Sequence, residues 1–324
     1  SSDTHVCRFR RCQNMSSPFL WRFLSFTQKY RGTLLAVSSV GLFAANISYH
    51  VAPEQTFRKL YQGWSKGEPV QLTAKLQGLF QEVLEETHMG VTSSYVPFSA
   101  FGFHPVSAGI PWLPSGCLIG IPFNYNDTEQ DGVGIADRVL LINGKEVDWS
   151  SDAGTHLRQA LNLSLDAQKF SLAREVFYAQ GNSPIIQASA APVCLSGICL
   201  SSVAIKQLLG LYSGPILLRG VYNMAVVVLG FAGYFLCSDA VSQWLDYQSD
   251  RKVAAVSKSY ATGGIEFYEK ILAQNRILRT LMGKQGETMY SPSGNLFPND
   301  YLRLKNAPYT SRRDRIKNAL LQME

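Results

Sequence analysis

The sequence predicts an α+β membrane protein, mainly helical, with three transmembrane helices, a small β-sheet with a hairpin, and a discontinuous domain outside the bilayer. Three observations carry this expectation. Charged residues make up only 17% of the 324 residues, where an ordinary soluble domain has roughly 25%. The deficit is concentrated, because residues 32–53, 176–205 and 220–238 contain no Asp, Glu, Lys or Arg. A bilayer-spanning helix needs about 20 mostly apolar residues, so each stretch is long enough. Elsewhere, helical periodicity alternates with short strand-like runs and turn residues. Together these exclude a simple soluble enzyme, and the 46% hydrophobic content excludes a disordered chain.

Residues 1–31 form a basic targeting and flanking segment, with six Lys/Arg against one acid, Asp3. From Met15 it reads MSSPFLWRFLSFTQKYRG, which is Ser-rich, aromatic and free of acids. Such a composition suits a mitochondrial presequence running into the first span, or a basic stop-transfer flank in another membrane. The organised pattern begins at Met15, which is therefore the expected initiator. Residues 32–53 follow as the first transmembrane helix.

Segment 54–182 reads as an α+β region. Leu72, Leu76, Leu79, Phe80, Val83 and Leu84 recur at helical spacing and predict a helix over 71–87. Strand-like runs follow at Tyr95–Phe103 and Cys117–Ile121, punctuated by Pro97, Pro105, Pro111 and Pro114. Asn143-Gly144 supplies the two positive-φ positions of a type I′ turn, predicting a hairpin between 138–142 and 145–149. Ser151 or Asp152 caps a helix through Leu157 and Leu161. Ser164, with Asp166 in the first turn, caps a longer one.

Residues 183–205 and 220–238 complete the spans, joined by the loop 206–219, whose charges are Lys206 and Arg219. Gly197, Gly230 and Gly233 permit close helix approach in lipid, and Pro192 is expected to kink the second span. The tail 239–324 is helical and is expected to pack on 54–182. Short basic flanks stay on the side from which insertion occurs. That rule places the N-terminus and the 206–219 loop inside, with 54–182 and 239–324 together outside. The six cysteines form no disulfide framework. The C-x4-C pairs at 7–12 and 194–199 lack the second pair a structural zinc site needs. No cofactor, metal, nucleic acid or small-molecule substrate is expected; the lipid bilayer is.

The helix after Ser164 carries one narrow polar face, Ser171, Arg174, Glu175 and Tyr178, at helical spacing. Taken alone, this is the solvated side of an amphipathic helix. The tail then shows Asp246, Asp250-Arg251, Gly263-Gly264 and Pro308-Tyr-Thr-Ser-Arg-Arg-Asp314. That order resembles membrane-bound zinc peptidases of the HtpX and CAAX-prenyl-protease kind. Their HExxH motif falls on Arg174-Glu175-Val176-Phe177-Tyr178, and their third ligand on Asp246. Only the general-base position, Glu175, is kept. Arg174 is a permanent cation, and a phenol with a pKa near 10 is a poor zinc ligand, so Tyr178 does not substitute for histidine. The resemblance thus implies a degenerate zincin-like domain without activity. In it Arg174 takes the metal's place by pairing, in bidentate fashion, with Asp246 or Asp250. The alternative is a membrane-bound zinc metallopeptidase with an atypical ligand set.

At whole-chain level the sequence resembles the transmembrane protein 177 family. The shared stretches are ISYH (47–50), LFQEVL (79–84), PVSAG (105–109), AQKF (167–170), LAREV (172–176), GGIEFYEK (263–270), PSGN (292–295) and PYTSRRD (308–314). The resemblance implies a multi-pass protein of the mitochondrial inner membrane, its N-terminus in the matrix and both large segments in the intermembrane space. It also implies a non-catalytic role in biogenesis of cytochrome c oxidase. The partners would be subunit II and the small membrane chaperone that stabilises it.

Overall fold

The computed structural model describes residues 22, 26, 29–65, 67–89, 94–126, 140–142, 144–298, 303 and 305–322. Met15, the presequence-like stretch before Lys29 and the turn residue Asn143 lie outside them or nearly so. In chain order the elements are α1 (Arg31–Val51), α2 (Phe57–Tyr61), β1 (Trp64–Ser65), β2 (Glu68–Pro69) and α3 (Ala74–Glu86). Next come β3 (Tyr95–Ala100), β4 (Val106–Gly109), β5 (Cys117–Pro122), β6 (Leu141–Ile142) and β7 (Lys145–Glu146). Seven helices follow: α4 (Asp152–Leu161), α5 (Leu165–Gln180), α6 (Ser183–Leu208), α7 (Ile216–Ala254), α8 (Lys258–Leu281), α9 (Lys284–Met289) and α10 (Tyr309–Leu321).

Helices α1, α6 and α7 are long and apolar enough to cross a membrane, which makes this a multi-pass membrane protein. The third is longer than its apolar window. Helix α7 runs for 39 residues and carries Asp239, Asp246 and Asp250 on the same continuous rod as the span. Helix α6 passes through Pro192 and continues to Leu208, so proline does not end it. Two compact units are present, Ser1–Ala44 with Ala191–Gly230, and Ala45–Ala190 with Phe231–Glu324. In the first, a Cβ on Gly230 would lie 3.1 Å from Ile198 Cδ1, so this glycine marks a helix contact. A Cβ on Gly197 or on Gly233 would meet nothing within 4 Å among the described residues.

The second unit is built on a three-stranded sheet in the order β3-β5-β4. Strand β5 pairs in parallel with β3, from Tyr95↔Cys117 to Ala100↔Pro122, and antiparallel with β4. Its central position explains why Cys117–Pro122 is buried throughout, as a strand covered on both faces must be. Of the expected hairpin, the described residues form β6 and β7, paired Leu141↔Glu146 and Ile142↔Lys145, with Val147 N–H donating to the Leu140 carbonyl and Gly144 at φ 75°. A second short hairpin joins β1 to β2.

Side-chain caps set the helix starts. Thr73 Oγ1 accepts from the Leu76 N–H and Ser164 Oγ from the Ala167 N–H. Ser151, not Asp152, caps α4. Ser164 is itself held from α8, where Glu266 accepts both its backbone N–H, at 3.0 Å, and its hydroxyl, at 2.5 Å. The two helices come this close because Gly263 and Gly264 have no side chains. A Cβ on Gly263 would collide with the Asp166 carbonyl, and one on Gly264 with the Phe170 ring.

One core then unites segments from both ends of the chain. Phe80 and Leu84 of α3, Ile119 and Ile121 of β5, and Phe170, Leu172 and Val176 of α5 pack with Phe267 and Tyr268 of α8 and Ile316 of α10. Apolar burial supplies about 1.5–3 kcal/mol for each such side chain.

Candidate functional site

The polar face of α5 is covered, not solvated. Ser171 and Glu175 are buried and the Arg174 side chain keeps 18% of its exposure. Four elements close over it: β4 with Ser107, the last turns of α7 with Asp246 and Asp250, α8 with Tyr268, and α10 with Arg312. This corrects the reading of the isolated helix. A short polar stripe on an otherwise apolar helix is also what a buried ion network requires.

Arg174 sits among three carboxylates. Its guanidinium lies 3.3 Å from Glu175, 3.6 Å from Asp246 and 3.8 Å from Asp250. These are ion contacts without hydrogen-bond geometry at Nε, which is buried and has no partner. The bidentate pair expected of Arg174 is made by Arg312 instead. Arg312 donates from Nε to Asp250 Oδ2 at 2.6 Å and from Nη2 to Oδ1 at 2.8 Å. Its Nη1 stands 3.3 Å from Asp246. Tyr268 donates its hydroxyl to Asp250 Oδ1 at 2.7 Å and offers its ring face to the Arg312 guanidinium at 4.9 Å. Asp250 thus accepts three hydrogen bonds, and two guanidinia face three carboxylates.

The electrostatics favour a static network. Burial and the like charge of Arg312 oppose the Arg174 cation, yet the carboxylates around it prevail and raise its pKa above the ordinary value. Burial likewise opposes the Arg312 cation, and Asp250 overrides it. Burial pushes the Tyr268 and Tyr178 phenols up, so both stay neutral. Tyr178 donates to Gln187 Oε1 at 3.1 Å and does not join the cluster by a hydrogen bond. Glu175 accepts from the Ser107 hydroxyl at 2.5 Å. Ser171 donates to the Gln168 carbonyl, which leaves its oxygen to accept from Tyr125 at 2.7 Å.

The residues brought together are therefore Arg174, Glu175, Asp246 and Asp250, with Tyr178 at the margin. Arg312, Tyr268 and Ser107 are members that sequence reasoning missed. Arg312 had one usable signal. It stands four residues before Ile316, so it shares the face that α10 turns to the core. Its position is prepared by the preceding loop, where Asn295 Oδ1 accepts from the Thr310 N–H at 3.1 Å and Asn275 donates to the Gly294 carbonyl at 2.7 Å. The PSGN and PYTSRRD stretches thus serve to set α10 in place. Among the described residues, no group of three or more His, Cys, Asp or Glu is arranged to hold a metal ion.

The profile of the family described as Transmembrane protein 177 matches residues 137–305. Proteins of that name share 54% identity in Danio rerio, over 94% of this chain and 98% of the relative. The identity is 45% in Rattus norvegicus, over 95% and 97%, and 44% in Homo sapiens, over 93% and 96%. No solved structure matches the chain significantly. With full-length similarity at these identities, the chain belongs to the transmembrane protein 177 family.

Proposed function

We propose that this protein is a non-catalytic assembly factor of the mitochondrial inner membrane. It supports biogenesis of cytochrome c oxidase subunit II and stabilises that subunit's membrane chaperone. The observation that carries the non-catalytic part is the pair of buried guanidinia among Glu175, Asp246 and Asp250. Where a zinc peptidase of this segment order would gather neutral imidazoles around a metal, this chain gathers permanent cations. A cation there repels zinc and polarises no water, so the degenerate peptidase reading leaves binding as the role. Family membership and the basic, acid-poor N-terminus support the compartment and the client.

In cells lacking the protein, newly synthesised subunit II is expected to decay faster than the other mitochondrially encoded subunits in pulse-labelling. Re-expression of the chain should restore its lifetime. Equal decay of all subunits would remove the client assignment.

The same reading fixes a topology. Tags placed at residue 60 and at the C-terminus should both be digested when protease is added to mitoplasts. Opposite behaviour of the two tags rejects an even number of spans between them. Protection of both reverses the orientation.

A further inference from the structure

The only charged residues in 176–238 are Lys206, near the end of α6, and Arg219, in the first turn of α7. Three contacts define how the helices face each other there. Gly230 lies against Ile198, the Tyr222 hydroxyl donates to the Ser202 carbonyl at 3.3 Å, and Lys206 Nζ sits 5.4 Å from the centre of the Tyr222 ring. Arg219 precedes Tyr222 by three residues, so it occupies the same face of α7 one turn nearer the loop. The antiparallel register set by these contacts puts it beside the end of α6. Both cations therefore lie toward the same end of the α6–α7 pair.

Neither has a carboxylate among the described residues of its own unit, because no acid occurs there. The Arg219 Nε is inaccessible and has no hydrogen-bond partner among the described residues. Around them Leu208, Leu209 and Leu217 are exposed by 84%, 65% and 80%. Apolar exposure of that extent belongs in lipid, and cations at the ends of two spans lie at the depth of the headgroup phosphates. An anion held by both side chains would be bound by two cations at once. It would meet a guanidinium fork that matches two phosphate oxygens, and an ammonium point charge. Tyr222 supports the site by holding Lys206 over its ring face.

We propose that Lys206 and Arg219 form a binding site for the phosphate of an anionic phospholipid at the α6–α7 turn. The test uses the full chain in nanodiscs of phosphatidylcholine containing a minority of phosphatidylglycerol. Lipids retained after extraction are counted by native mass spectrometry. Retained phosphatidylglycerol is expected to exceed its bulk share by up to about thirtyfold, the effect of two cations at roughly 1 kcal/mol each near an anionic surface. K206Q/R219Q should bring the retained ratio down to the bulk ratio with unchanged helicity, and the charge-keeping K206R/R219K should preserve most of the enrichment. No enrichment with the wild-type chain overturns the proposal, whether or not the double glutamine variant inserts. Unchanged enrichment in K206Q/R219Q overturns it as well. Displacement of the lipid by excess inorganic phosphate would assign the site to free phosphate and reject a lipid ligand.

Discussion

Replacing Arg312 by alanine is expected to cost about 3–5 kcal/mol of folding stability, the penalty for leaving a buried carboxylate without its cation. The side chain is 3% exposed and makes both bidentate hydrogen bonds to Asp250 as well as the 3.3 Å contact to Asp246. Without it, Asp250 keeps only the Tyr268 hydroxyl as hydrogen-bond donor, together with the 3.8 Å contact from Arg174. Domains of ordinary size are stable by about 5–15 kcal/mol, so the variant should accumulate poorly in cells. Arg312→Lys should recover only part of the loss, because an ammonium cannot pair both carboxylate oxygens at once. Arg174→Ala should cost less, roughly 1–3 kcal/mol, since Arg174 makes ion contacts without a hydrogen bond at Nε and Arg312 stays in place. Urea unfolding of detergent-purified variants measures all three. An Arg312→Ala midpoint equal to wild type would remove this network from the forces that hold α10 to the unit.

The second large effect is a dependence on pH through His104. Burial, with the nearby Arg174 charge in support, pushes its pKa from the ordinary 6.5 down to about 4. Nδ1 is inaccessible and unpartnered, and the ring stands edge-on to Phe267 at 6.0 Å. The folded state therefore binds its proton only near pH 4, whereas the unfolded chain takes one up below 6.5. Below 6.5 the unfolded state holds more protons, so stability falls as pH drops through the window from 6.5 to 4. The slope approaches about 1.4 kcal/mol per pH unit, and the loss reaches on the order of 3 kcal/mol near the lower edge. Above 6.5 this contribution is constant. His104→Phe keeps the aromatic contact and removes the titrating group. Its unfolding free energy should be flatter than wild type across that window, and parallel profiles for the two proteins would exclude His104 as the source.

Much of the architecture was readable before any coordinates. The three charge-free windows cover most of α1, α6 and the first half of α7, the second also taking in the last turn of α5, because exclusion of charge from lipid is a property of composition alone. The cap at Ser164 and the pair of cap candidates Ser151 and Asp152 follow from local chemistry, as does the amphipathic helix around Leu76–Leu84. The length of α7 past the membrane window was not readable. Nothing local marks where the helix stops beyond Ser238, and the extension is held by tertiary partners, Arg303 at Asp239, Arg174 and Arg312 at Asp246, and Arg312 and Tyr268 at Asp250. Helix α6 runs on through Pro192. One missing N–H in a long apolar helix does not end it where no competing hydrogen-bond partner such as water is at hand.

For the site, sequence by itself determined that Ser171, Arg174, Glu175 and Tyr178 share one face of a helix. Helical spacing alone sets that face, so no structure was needed for that inference. Only the tertiary structure decided which cation meets which acid. Arg174 and Arg312 are 138 residues apart in the chain, and both approach Asp246 and Asp250. The choice between them rests on whether a guanidinium arrives in the plane of the carboxylate. Arg312 does so because Asn295 and Thr310 fix the start of α10, while Gly263 and Gly264 let α8 bring Tyr268 against the same acid. Hydrogen bonding of this kind depends on direction within a few tenths of an ångström, and residue order along a chain carries no such information.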